Sequence, residues 1–256
     1  VGGEYLSERK PEASGDDTLL AAPVLEKKYD AAFKDWDRQY KTRILLSDDL
    51  EASLLKWTKT ATGNGDSVLE RSTSVAFDAL ASLHMKSRTT SAAEDDSVMA
   101  TRTFPIAASK AIKFRVPAWR FEDVDENKYV IFHIEWYDGA NYYHAAVRYD
   151  VVNQAWDYLN SANDWSEVIA THILAAETWH SLELDIDFVH MNYLRLLVDD
   201  RTNVFSSTLF YTIADAVTLA QAIVSLETTT QGATPAEAYF DGAPGDPIAI
   251  TEISEA

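Results

Sequence analysis

The chain of 256 residues contains no cysteine. A disulfide framework, a zinc thiolate centre and a cysteine nucleophile are therefore excluded. Basic residues are scarce: 22 Lys and Arg stand against 41 Asp and Glu, a formal net charge of −19. Binding through nucleic-acid phosphates needs clustered Lys and Arg, so nucleic acid is not an expected partner. Such a surface suits solubility, cations or a basic partner. No apolar run is long enough to span a bilayer, which argues against membrane insertion. There is no G-x-S-x-G, no Gly-rich phosphate loop and no H-E-x-x-H to carry nucleophilic, phosphoryl or zinc chemistry. Tandem repeats are also absent. What is present is a hydrophobic content of 46%, enough for a packed core rather than global disorder.

The patterning is that of strands. From Leu182 to Phe188 apolar residues alternate with Glu183, Asp185 and Asp187, the period of a strand with one dry and one wet face. A turn at 189–192 and a second apolar run, Tyr193 to Val198, make a hairpin. A further hairpin is predicted from Tyr129 to Tyr137 and Tyr142 to Asp150, around the turn Asp138-Gly139-Ala140-Asn141. With Tyr137 opposite Tyr142, one face carries Val130, Phe132, Ile134 and Trp136 against Tyr143, Ala145, Val147 and Tyr149, and is core. The other carries His133, Glu135 and Tyr137 against Tyr142, His144 and Arg148. A slip of one residue would exchange the two.

Ahead of these strands, residues 1–18 read as an extended arm. Leu25, Tyr29, Phe33, Trp36 and Tyr40 then recur at helical spacing behind Pro23, so residues 1–42 are an arm and a short amphipathic helix that must dock on its own chain or on another subunit. Residues 43–256 are one β domain. Strands are expected at 44–46, 54–57, 68–71, 79–86, 99–104 and 110–116, with Pro117 ending the last of these. The stretch 204–217 reads as a crossing loop with a short strand. Strands follow at 222–228, 236–241 and 247–253. The acidic loop 122–128 lacks the spacing of an EF-hand and reads as a solvated turn.

Trp179-His180 leading into Val198-Asp199-Asp200 resembles the Trp-His strand and the V-D-D or V-D-G strand of concanavalin A-like domains. Asp48-Asp49-Leu50-Glu51 resembles the D-D-F-E entry of jelly-roll carbohydrate-binding modules, with Leu in place of Phe. Ala236 to Asp241 resembles their closing Y-x-D-D strand. The resemblance implies an all-β, concanavalin A-like jelly-roll β-sandwich. It also implies a structural calcium held by Asp49, Glu51 and Asp241 at the ends of the first and last strands. No other cofactor is expected.

Three functions compete. The arm, the helix and the lack of a catalytic set point first to a non-enzymatic structural or surface protein of a larger assembly, of the phage or virion capsid-decoration type. It would sit on a virion or extracellular surface beside copies of itself or other subunits. The alternative is a carbohydrate-binding module or lectin, using His133, Glu135, Tyr137, Tyr142, His144 and Arg148, since sugars are held by aromatic rings beside planar polar groups. Last comes a laminarinase-type glycoside hydrolase, because Glu183-Leu184-Asp185-Ile186-Asp187 is similar to the E-x-D-x-x-E catalytic strand of those enzymes. Against it, the final Glu is missing, and the motif lies inside the Trp-His strand instead of well ahead of it.

Overall fold

The computed structural model describes residues 44–256 apart from 49, 51–55, 64–65, 78–79, 106–110, 216–219, 243–245 and 254–256. The expectations for Leu25, Tyr29, Phe33, Trp36 and Tyr40, and those for Asp49 and Glu51, lie outside the described residues.

Alternation becomes strand throughout. In chain order the first strands are β1 (Ile44–Asp48), β2 (Thr58–Ala61), β3 (Val68–Ser72), β4 (Ser82–Lys86), β5 (Ser97–Pro105) and β6 (Ala111–Phe121). The predicted hairpin is β7 (Asn127–Tyr137) and β8 (Asn141–Asp150), followed by β9 (Ala155–Leu159) and β10 (Trp165–Ile169). The Trp-His strand is β11 (His180–Asp187), hairpinned to β12 (Asn192–Val198). Then come β13 (Arg201–Leu209), β14 (Tyr211–Ala214), β15 (Gln221–Thr230), β16 (Glu237–Asp241) and β17 (Ile248–Glu252).

All recorded pairings are antiparallel. They build two sheets. The nine-stranded sheet runs β13-β12-β11-β6-β16-β4-β3, with β17 on β6 and β1 on β17. The eight-stranded sheet runs β10-β9-β8-β7-β15-β5-β2, with β14 on β8. The fold is an all-β jelly-roll sandwich. Its interior is filled from both layers: Phe132, Ile134, Trp136, Val147 and Tyr149 from one, Phe114, Val116, Trp119, Leu182, Leu184, Ile186 and Phe240 from the other. Trp119 stands edge-on to Trp156 at 5.9 Å and to Phe132 at 5.3 Å, an arrangement that suits the ring quadrupoles. Each fully buried large side chain stabilises the fold by about 1.5–3 kcal/mol through area removed from water.

Two long strands, β6 and β8, each have one edge divided between two shorter strands. β6 pairs β17 through 112–115 and β16 through 118–121. β8 pairs β14 through 141–144 and β9 through 147–150. The second seam is mended from the other layer. Tyr193 of β12, fully buried, crosses the sandwich and its hydroxyl takes the place of a ladder bond. It accepts from the Ala146 N–H at 2.8 Å and donates toward the carbonyls of Leu159 at 2.8 Å and Ala146 at 3.1 Å.

The structure corrects three expectations. Pro117 does not end its strand: β6 continues to Phe121. Opposite it the register shifts, with Leu182 facing Val116 and His180 facing Trp119. An irregular step in the ladder is where a residue without an N–H is tolerated. The stretch 204–217 holds no long crossing loop, because β13 and β14 occupy most of it. Asp185 is not on a wet face: it is 9% exposed, covered by the cations that meet it.

Candidate functional site

The register of the β7–β8 hairpin is the predicted one, Tyr137 opposite Tyr142. All six expected binding residues therefore point out of the eight-stranded sheet. Flanking strands complete three transverse rows. The first is Gln221, Tyr137, Tyr142 and Ile213; the second is Ile223, Glu135, His144 and Tyr211; the third is Ser225, His133 and Ala146.

At the hairpin end the rows form a tyrosine corner. Tyr137 and Tyr142 lie 4.9 Å apart with their planes at 34°, and Tyr211 meets Tyr142 edge-on at 6.3 Å. Glu135 sits beneath them. The Tyr137 hydroxyl donates to it at 3.5 Å, and the Tyr142 hydroxyl is hydrogen-bonded to it as well. Burial, then the charge of Glu135, pushes both phenols above their ordinary range. They are donors, never phenolates, at neutral pH. The three rings are half-buried and Ile213 is exposed.

Behind the corner lies a proton-sharing chain. His133 and His144 meet on the diagonal, as expected, Nδ1 to Nε2 at 3.1 Å with rings nearly parallel. The other nitrogen of His133 faces Glu227 at 3.0 Å. Burial alone would raise the Glu227 carboxyl, but the bond from His133 outweighs it and holds the group below its ordinary range. That nitrogen therefore carries the hydrogen, and a single proton bridges the two rings. Burial, and then the neighbouring His133, lowers His144 to about 3, so it is neutral. The chain fixes the orientation of both rings.

Arg148, also expected to bind, is enclosed instead. It donates to Asp157 at 2.8 Å, and its guanidinium lies 4.0 Å from the Tyr129 ring and 4.4 Å from that of Trp165. Its charge is spent within the sheet. Sequence reasoning missed Tyr211, Ile213 and Glu227; alternation with the apolar Ala222, Val224 and Leu226 marks Glu227 as outward, whereas Tyr211 and Ile213 are apolar in a short strand and carry no such signal.

The acidic residues of β11 and the buried Asp241 have partners within the chain. Glu183 is met by Lys113 at 3.1 Å, Arg115 at 3.3 Å and Arg195 at 3.2 Å, and Asp185 by Arg195 at 2.8 Å. Asp187 caps its own turn, accepting from the N–H groups of Val189 and His190. Glu183 and Asp185 share the Arg195 guanidinium across the strands, and burial outweighs the nearby cations at Asp185 and raises its carboxyl above its ordinary range. Asp241 is fully buried, and its oxygens accept from the N–H groups of Phe77 and Gly242, both at 2.7 Å. It anchors a loop. Among the described residues no group of three or more His, Asp or Glu could hold a metal; the expected calcium set includes Asp49 and Glu51, which lie outside them.

Comparison with solved structures places the fold. The chain has an all-β jelly-roll sandwich fold shared with solved structures. It superposes on a structure described as the conserved carbohydrate esterase of the Shiga toxin-encoding bacteriophage phi24B, with a TM-score of 0.53 and 16% identity, covering 83% of this chain and 100% of that one. The cellulose-induced protein Cip1 gives a TM-score of 0.50 at 14% identity, over 82% of this chain and 98% of that one. No family model and no curated protein matches the sequence. At these identities the concanavalin A-like likeness speaks for the fold alone.

Proposed function

We propose that the β domain is a non-enzymatic carbohydrate-binding domain of an extracellular or virion surface, and that it takes its ligand on the tyrosine corner. The carrying observation is the cross-strand pair Tyr137–Tyr142, with Tyr211 at its side and Glu135 hydrogen-bonded below. A sugar ring has apolar C–H faces and a rim of hydroxyls. Phenol rings take the faces, and a carboxylate accepts from the rim. The names of the two structures described above, a phage carbohydrate esterase and a cellulose-induced protein, support a carbohydrate setting. The paired state of Glu183 and Asp185 supports a role without hydrolysis at β11. A decoration role within an assembly remains tied to residues 1–42.

The test is binding of the full chain to a broad glycan array, followed by titration of the positive glycans. Tyr137→Ala and Tyr142→Ala should each weaken binding about 5-fold, the loss of about 1 kcal/mol of ring contact. Their circular dichroism should stay that of the parent. Silence across the array would remove the reading.

A further inference from the structure

Resting on that carbohydrate reading, we infer that the tyrosine corner takes saccharides without acidic groups, and that Glu135 is the residue that turns acidic ones away. Among the strand positions that face outward with His133, the only Lys or Arg is Arg148. It stands six residues along β8 from Tyr142, about 20 Å at the rise of a strand. Even there it is saturated by Asp157 and closed between two rings. A uronate, sialate or sulfate arriving at Tyr137 and Tyr142 would thus meet, among the described residues of this face, a carboxylate and no unpaired cation. The surroundings have the same sign: the charges of Glu135 and Asp215 both act on the Tyr137 hydroxyl. The chain as a whole carries −19, which adds repulsion at longer range.

Glu135 also supplies what an uncharged sugar needs. A carboxylate oxygen accepts from sugar hydroxyls through charge-assisted bonds, and the two phenols that already bind it hold its plane in place. Neutral and amino sugars satisfy this arrangement. Acidic sugars would need a basic clamp, which the described residues of the corner do not supply.

The experiment compares matched pairs of oligosaccharides of the same linkage, one neutral and one carrying uronate, sialate or sulfate, titrated against the full chain. At about 50 mM salt the acidic member should bind at least about 10-fold more weakly, and the gap should shrink at about 500 mM as the field is screened. Glu135→Gln should narrow the gap at low salt. Acidic members binding as tightly as neutral ones, or a gap indifferent to both salt and Glu135→Gln, would overturn the inference while leaving the carbohydrate reading intact. Silence for both members of every pair would overturn the carbohydrate reading and this inference with it. The salt series on the parent chain decides whether charge turns acidic members away; Glu135→Gln, with Glu135→Asp as a second variant that keeps the charge and should keep the gap, decides whether Glu135 does so, and a gap that Glu135→Gln leaves unchanged would refute that role.

Discussion

Replacing Tyr193 by Phe removes one oxygen from the dry interior and tests how the two sheets are joined. The hydroxyl sits at the seam of β8, where the ladder passes from β14 to β9, and satisfies the Ala146 N–H at 2.8 Å and the Leu159 carbonyl at 2.8 Å. Burial holds it protonated far above the ordinary phenol range, so its roles do not change with pH. Phe would fill the same space but leave one backbone donor and one acceptor without partners. Each buried orphan costs about 1–3 kcal/mol. Direct closure of Ala146 onto Leu159 would recover part of this, so the net loss should be about 2–4 kcal/mol. For a domain of this size each kcal/mol moves Tm by about 2–4 °C, giving a fall of about 4–15 °C. Thermal unfolding followed by near-ultraviolet circular dichroism measures it directly, with glycan binding at 20 °C as a check that the corner is intact. A shift below 2 °C would mean that the seam is satisfied some other way and the assignment of this hydroxyl is wrong.

Two further outcomes concern stability. His84 bridges Glu70 at 3.0 Å and Glu237 at 3.1 Å on the outer face of the nine-stranded sheet. Burial would lower the His84 imidazole, but these two bonds outweigh it and raise it above 6.5. Bonds from His84 and Lys86 hold Glu237 at about 2, against an ordinary 4.5. A raised imidazole stabilises fully below 6.5 and loses that contribution as pH rises through its folded value. A depressed carboxyl stabilises above 4.5 and loses its contribution, at most about 3 kcal/mol, as pH falls toward 2. The urea midpoint should therefore decline on both sides, and His84→Ala should flatten the alkaline decline; identical profiles would refute the bridge. Gly242→Ala should cost about 1–3 kcal/mol. Its new methyl would stand 2.7 Å from the Asp48 carbonyl and 2.7 Å from the Ile248 N–H, the paired backbones of β1 and β17. An unchanged midpoint would show that this edge gives way freely.

Much of the candidate site was legible because a hairpin is local. The turn at 138–141 sets Tyr137 against Tyr142, and alternation then decides which side faces out. The diagonal approach of His133 and His144 follows from the same register. Glu227 and Tyr211 were not legible as neighbours. They arrive on β15 and β14, from stretches far along the chain that lie beside β7 and β8 only once the sheet is assembled. The fate of Arg148 was hidden for the same reason, since Trp165 and Asp157 come from β10 and β9. Pro117 misled in another way: a missing N–H normally stops a ladder, but here the register steps opposite β11 and the other edge passes from β17 to β16.

The sequence by itself determined an all-β chain with one dry and one wet side to each strand, because the period of two is a property of every strand wherever it lies. It also excluded thiol chemistry, which depends on composition. Only the tertiary structure decided which outward residues meet, which charges are already spent, and where a buried hydroxyl replaces a ladder bond. Those outcomes depend on strand order and register between distant segments, and they are settled by the packing of two sheets against each other rather than by any short run of residues.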